Sequence, residues 1–426
     1  MLTPTAGSQP GSSLDWKGLG PWVVVRQSAA RLLCSPPMNE TTDDLLLVDR
    51  PDALEALCER LRGCPWLALD TEFHREATYR PQLCLVQVAT PDLTACIDPL
   101  ALKSLDPLLD LLYDRDVLKV LHAPRQDLEI FHYLRGAPFA PVFDTQLAAP
   151  LLGHPDQAGF ANLVGAILGV RLAKAHTRAD WRRRPLPAAQ LRYAGDDVRY
   201  LAPLYQRLRA GLEEHGRLDW LDVEFAALSD PVRYENPPEQ AWRRLRGADR
   251  LRGPSLAVLQ GLAAWRERTA GVEDRPRGWL VKDDTLFDLA RMMPATDQDL
   301  RHVRGLSDGV VRRHGAAVLE SIRTARARAP EPVPAHHSGR RLAPEEDALV
   351  DLLMAVVRVR ALEHRLSPAV LAPRPEIERL VAGDLGSVLH VGWRRGLIGE
   401  ELSRVLRGEQ ALRVAEGALC VEPVAS

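Results

Sequence analysis

Strand-like patterning is confined to one part of this chain. Between Leu45 and about Pro141, short apolar runs alternate with amphipathic helical segments, and beyond Thr145 the strand patterns stop. Such a chain has one place for a sheet, and helices must supply everything after it. The expected fold is therefore α/β: a domain on a mixed sheet, sheet in front and helices behind, followed by all-α segments. The reading places strands at residues 45–48, 66–71, 83–89, 94–98 and 117–122, with helices at 52–61, 100–113 and 125–134. Helical periodicity returns at 145–152, 159–169 and 187–213, separated by Gly and Pro.

At 426 residues the chain has room for two to four domains of ~100 to 200 residues. Five segments are expected: a disordered extension 1–38, a sheet-bearing domain 39–235, a helical domain 236–328, a Pro-rich linker 329–340 and a second helical domain 341–420. The extension carries no secretory signal, because Trp22 to Val25 is stopped by Arg26, and Met38 is an alternative start. No apolar run approaches the ~20 residues of a membrane helix; Ala348 to Val357 is broken by Asp351. Six cysteines without CxxC pairs point to a reducing cytoplasm. The formal charge of -2 argues against wholesale electrostatic binding of nucleic acid, but it averages over local patches.

The chemistry begins at a strand end. The run Trp66-Leu67-Ala68-Leu69 delivers Asp70-Thr71-Glu72, and residues two apart on a strand face the same way. Two carboxylates on one face suit a hard cation such as Mg2+ or Mn2+, and no soft ligand is near them in sequence. A solvated strand end has the same spacing. Asp127 falls in the first turn of the helix after Ala123-Pro124, where the helix dipole alone favours an acid. A third carboxylate near the first pair would complete a ligand set for a second metal. In the helix after Pro187, Tyr193 lies on one face with Asp197, four residues on, and Asp196 is also near. Spacing alone does not choose between the two aspartates.

In order along the chain stand Asp70-x-Glu72, His122-Ala123-x-x-x-Asp127-Leu128-Glu129, Phe143-Asp144-Thr145-Gln146-Leu147-Ala148 and Tyr193-x-x-x-Asp197-Val198. Taken together they resemble ribonuclease D, the tyrosine-type branch of the 3'-to-5' exonucleases named for four acidic residues. The segment from Thr177 and Arg178 through Trp181-Arg182-Arg183-Arg184 to Leu186 is also similar. The resemblance implies a ribonuclease-H-like mixed sheet. It further implies that Asp70, Glu72, Asp127 and Asp197 hold two divalent cations, Mg2+ or Mn2+, and that Tyr193 positions the attacking water. Asp144 is expected to cap the helix that begins at Thr145. The implied reaction releases nucleoside 5'-monophosphates from a free RNA 3' end.

Two later stretches resemble HRDC modules, as in bacterial ribonuclease D. The first carries Ala241-Trp242-Arg243-Arg244, Trp265-Arg266 and Trp279-Leu280. The second, more divergent, carries Leu366-Ser367-Pro368 and Gly392-Trp393-Arg394-Arg395. Arg178, Trp181, Arg182, Arg183 and Arg184 are expected near the active site, gripping the RNA backbone. Arg243 and Arg244 are expected in a second phosphate-contacting patch; a solvated helix face fits these two arginines equally, and a core position fits Trp181. The leading expectation is a monomeric cytoplasmic exoribonuclease trimming transfer RNA precursors. A DNA 3'-to-5' exonuclease uses the same carboxylates, since only a contact to the 2'-hydroxyl separates the sugars. A silent RNA-binding scaffold is the reading from another class, and the intact set of acids counts against it.

Overall fold

The computed structural model describes residues 45–173, 179–333 and 342–424. The expected extension 1–38, the start at Met38, Arg178 and most of the linker 329–340 lie outside the described residues.

The sheet contains β1 (Leu45–Val48), β2 (Trp66–His74), β3 (Gln82–Thr90), β4 (Leu93–Ile97), β5 (Leu118–Leu121) and β6 (Val142–Asp144), in the order β1-β4-β3-β2-β5-β6. It is mixed, as expected: β3 runs antiparallel to β2 and β4, and the other pairs are parallel. Leu83 to Ala89 of β3 are buried without interruption, which requires cover on both faces. Helices α1 (Pro51–Leu61), α2 (Asp106–Tyr113) and α3 (Arg125–Arg135) share one core with Leu67, Leu69, Val86 and Val88. Ala68 and Ala89 look the other way, onto Val198, Leu201 and Tyr205 of α6 (Ala188–Glu214), with α4 (Thr145–Ala148) and α5 (Phe160–Leu168) beside it.

Three expectations about elements need correction. The helix expected from Leu100 starts at Asp106, because the Asp98 carboxylate accepts from the amides of Leu100 and Ala101 and folds that stretch into a turn. The three-residue β6 is too short for its periodicity to register. The third departure is at the end of the chain, where β7 (Gln410–Ala415) and β8 (Ala418–Pro423) form an antiparallel hairpin in a region read as helical. Its two-residue turn, Glu416 (φ 52) and Gly417 (φ 80), has the double positive φ of a type I′ hairpin.

After α7 (Asp222–Leu228), the first helical segment comprises α8 (Gly253–Glu273), α9 (Arg277–Leu280), α10 (Asp283–Met292), α11 (Asp297–Arg301) and α12 (Asp308–Arg326). It has its own core around Trp242, Leu259, Leu286 and Val318. The second comprises α13 (Pro344–His364), α14 (Pro368–Leu371), α15 (Arg374–Val381), α16 (Gly392–Arg394) and α17 (Glu400–Leu406). Its buried Val350, Leu353 and Val357 belong instead to the α6 core. There Trp393 stacks on Trp220 with centroids 4.4 Å apart, and buried Arg217 donates to the carbonyls of Leu151 and His364 at 2.6 Å each.

One buried lysine anchors the β5–β6 side of the sheet. Lys119 on β5 donates from Nζ to the carbonyls of Asp114, Val117 and Ala140 at 2.8, 2.6 and 2.9 Å. Burial pushes its pKa down to about 7, while three acceptors match the three N–H donors of the charged form. Lys119→Met leaves those carbonyls without a donor and is expected to cost ~2–4 kcal/mol in urea unfolding. Stability within experimental error of the parent would contradict this.

Candidate active site

Strand β2 runs past the end of β5. Their last pair is Ala68 with Val120, so the chain leaving β5 turns beside Asp70 and Thr71. The turn passes through Ala123 at φ 54, a conformation costly for a residue with a Cβ. Asp144 stabilises it: Oδ1 accepts from the Ala123 amide at 2.9 Å and from the Gln146 amide at 2.8 Å. The aspartate thus caps α4, as expected, and also fixes the turn that launches α3. Asp127, in the first turn of α3, is buried, and its Oδ1 accepts from the Thr71 hydroxyl. Asp70 and Glu72 lie opposite Gln87 and Leu85 on β3, with a register shift between Glu72 and Phe73.

Helix α6 brings Tyr193 and Asp197 over the same face. Gly195 allows the close approach, since a Cβ there would meet Leu45 Cδ1 at 2.9 Å. Trp181, 3 % exposed, packs against Tyr193 with ring centroids 6.3 Å apart.

The electrostatics show how closely these elements assemble the acids. Burial raises the Asp70 pKa well above the carboxylate range, and the charges of Asp127, Asp197 and Glu72 raise it further. Burial, then Asp197 and Asp127, push Glu72 up to about 8. Burial lifts Asp197 to about 7 and Asp127 to about 6, the latter despite the Thr71 hydrogen bond. The Tyr193 phenol is raised by burial and then by Asp197, Glu72 and Asp70, so it is a neutral hydrogen-bond donor at physiological pH. Among the described residues no three His, Cys, Asp or Glu side chains are already gathered around one metal-binding point. What the fold provides is four mutually repelling hard-oxygen donors, a set that fits divalent cations. The fold also brings in Cys96, which sequence proximity did not reveal. Burial, followed by the nearby acids, pushes its thiol up to about 12, so it stays protonated.

The expected RNA-gripping residues have varied surroundings. Trp181 is turned into the core. Arg184 is engaged within the protein, with Nε and Nη2 to Asp98 at 2.5 and 2.6 Å and Nη2 to the Cys84 carbonyl at 2.7 Å. Arg182 is exposed and paired with Asp180 at 2.9 Å, and Arg183 is exposed. Arg243 pairs with Glu331, and Arg244 with Asn236 and, at 3.1 Å, with Glu267. Sequence reasoning missed Thr71, Gln87 and Cys96 beside the acids. Their relation to the acids lies in strand register and in the turn after β5, not in spacing along the chain.

Comparison with known proteins agrees with this arrangement. A 3'-5' exonuclease family model matches residues 46–213, and an HRDC domain model matches residues 255–322. Fold and site thus define a 3'-to-5' exonuclease with an appended helical module. Among curated proteins, the ribonuclease D of Sphingobium indicum is 42% identical over 380 residues, covering 88% of this chain and 97% of its own. That of Gluconacetobacter diazotrophicus is 40% identical over 374 residues, covering 87% and 95%. The crystal structure of Escherichia coli RNase D, described as an exoribonuclease involved in structured RNA processing, superposes with a TM-score of 0.73. It is 34% identical and spans 86% of this chain and 99% of its own. The chain belongs to the ribonuclease D family and is a hydrolase of the exoribonuclease type.

Proposed function

We propose that Asp70, Glu72, Asp127 and Asp197 hold two divalent cations, Mg2+ or Mn2+, and that Tyr193 orients the water that attacks the terminal phosphodiester. Four buried carboxylates, with Asp70 raised by Asp127, Asp197 and Glu72 and Glu72 raised by Asp197 and Asp127, carry this reading, because such an arrangement costs stability unless cations offset it. When bound, the cations supply Lewis-acid activation of the water and neutralise charge on the leaving oxygen. The Tyr193 hydroxyl donates to or accepts from the water without deprotonating it, since its pKa is raised further above neutrality. Water adds to phosphorus, the bond to the 3'-oxygen breaks, and a nucleoside 5'-monophosphate leaves with the chain one residue shorter and ending in a 3'-hydroxyl.

The proposed substrate is RNA with a free 3' end, transfer RNA precursors foremost, since the superposed relative is described as a processor of structured RNA. In this reading residues 39–235 are the nuclease, residues 236–328 and 341–420 are two HRDC-like domains, and the protein works as a cytoplasmic monomer. No helix of the described residues is long and apolar enough to cross a membrane. Arg182 and Arg183 remain exposed for phosphate contacts, and engagement of Arg178, Arg243 and Arg244 with RNA is proposed with them.

The cation reading has a test that needs no substrate. Carboxylates with raised folded-state pKa values leave the fold unburdened below pH ~4, their unfolded pKa, and destabilise it as pH rises through about 6, 7 and 8. Cations compete with protons on the acid side and relieve repulsion on the alkaline side. Added Mn2+ is expected to raise the melting temperature by several degrees at pH 8 and by much less at pH 5.5. An equal rise at both, or none at pH 8, would contradict the proposed ligands.

A further inference from the structure

Gln87 lies in the middle of β3 with 0 % of its surface exposed, and among the described residues neither polar atom of its side chain has a hydrogen-bond partner. Burying an unpaired amide costs stability, and Met or Leu would fill the space without that penalty. Its position supplies an explanation. The register sets Gln87 directly opposite Asp70 on β2 and opposite Cys96 on β4. Directly opposed residues of antiparallel strands share a face, with Cβ atoms ~4.5–5.5 Å apart. The amide therefore lies on the carboxylate face, and the far neighbour in its row, Cys96, feels the charges of Glu72, Asp197 and Asp70.

We propose that Gln87 is a positioning residue of the cation site: when cations draw the Asp70 carboxylate into its ligating orientation, the Gln87 side-chain Nε2–H, unpaired without them, donates to it and fixes that orientation. The role rests on the cation site proposed above. A carboxylate that ligates through one oxygen keeps lone pairs on the other, and in a buried site that second oxygen requires a donor. A neutral amide suits the task better than Lys or Arg, because it orients Asp70 without cancelling the negative charge that attracts the cations.

The test is Mn2+ affinity by titration calorimetry on the full-length protein, with melting temperature without added cation as the second readout. Gln87→Met is expected to weaken Mn2+ binding by about 10- to 100-fold and to leave that melting temperature unchanged or higher. Gln87→Asn keeps an amide in the core but withdraws it by one carbon. It is expected to fold like the parent and to bind Mn2+ about tenfold more weakly, so it carries the test if the Met variant does not fold. Parental affinity in either folded variant overturns the role, as does a lower melting temperature with unchanged affinity, which would mark Gln87 as a packing residue. Asp70→Asn separates the two claims. Its loss of Mn2+ binding, with parental binding in both Gln87 variants, overturns the Gln87 role alone; parental Mn2+ binding in Asp70→Asn overturns the cation site and this role with it.

Discussion

Asp70→Asn is expected to lower the turnover of RNA by at least about 10^3-fold, or ~4 kcal/mol of transition-state stabilisation, with Asp127→Asn close behind. Both carboxylates are buried in a set of four whose charges oppose one another. Replacing either by a neutral amide of the same shape removes a cation ligand and a repulsive charge together. Activity and stability should therefore part company: the melting temperature without added cation should hold or rise as activity disappears. For Asp127 the amide must also satisfy Thr71, whose hydroxyl now donates to Oδ1, and an asparagine oxygen accepts that bond equally well. A variant that lost activity because it unfolded would not support the assignment, so melting and turnover must be measured on the same preparation.

The second large effect is expected far from the acids in sequence. Glu267 of α8, its side chain 2 % exposed, receives Nε and Nη2 of Arg277 at 2.5 and 2.6 Å and the Tyr79 hydroxyl at 2.5 Å. Burial pushes the carboxyl up, but the bonds from Arg277 and Tyr79 outweigh it and hold the pKa below its ordinary value. The Arg277 guanidinium also sits 4.8 Å from the Tyr79 ring centroid. Asp274 in turn accepts from the amides of Tyr79 and Arg80 at 3.0 and 3.1 Å. The segment between β2 and β3, which starts at Arg75, three residues after Glu72, is thereby fastened to the first helical segment. Arg277→Ala removes the main partner of a buried carboxylate, which keeps Tyr79 and, at 3.1 Å, Arg244, and is expected to cost ~3 kcal/mol, the lower end of the ~3–5 kcal/mol for a buried charge that loses its partner. Tyr79→Phe removes one hydrogen bond and should cost ~1–1.5 kcal/mol. Unfolding of both variants in urea checks the ranking, and an Arg277→Ala variant within 0.5 kcal/mol of the parent on the same ~3–5 kcal/mol scale would contradict it.

Local pattern carried the front of the molecule well. The apolar run Trp66-Leu67-Ala68-Leu69 opens a strand, so Asp70 and Glu72 were legible as a pair on one face, although β2 continues to His74, beyond the strand end expected at residue 71. Asp144 was legible as a cap because Thr145 opens a helix directly after it. Features set by pairing between distant segments were not legible. Nothing in the spacing of Gln87 reveals that it faces Asp70, and nothing in Arg184 reveals that Asp98, 86 residues earlier, takes its guanidinium. Runs of arginine beside tryptophan look alike whether they meet phosphate or the protein. In Trp393-Arg394 the cation lies 4.2 Å from the neighbouring ring centroid while also reaching Glu224 at 3.2 Å. The closing hairpin was legible in principle, since Glu416-Gly417 separates two runs of equal length. Its half-exposed alternation is weak beside the leucine-rich helices that precede it.

The most direct test of the central claim is a time course of the purified protein with Mn2+ or Mg2+ on 5'-labelled single-stranded RNA and matched DNA, with Asp70→Asn alongside. The account predicts a ladder shortening from the 3' end, faster on RNA than on DNA and absent in the Asp70→Asn lanes. RNA left intact with both metals, or a ladder undiminished in Asp70→Asn, would contradict it.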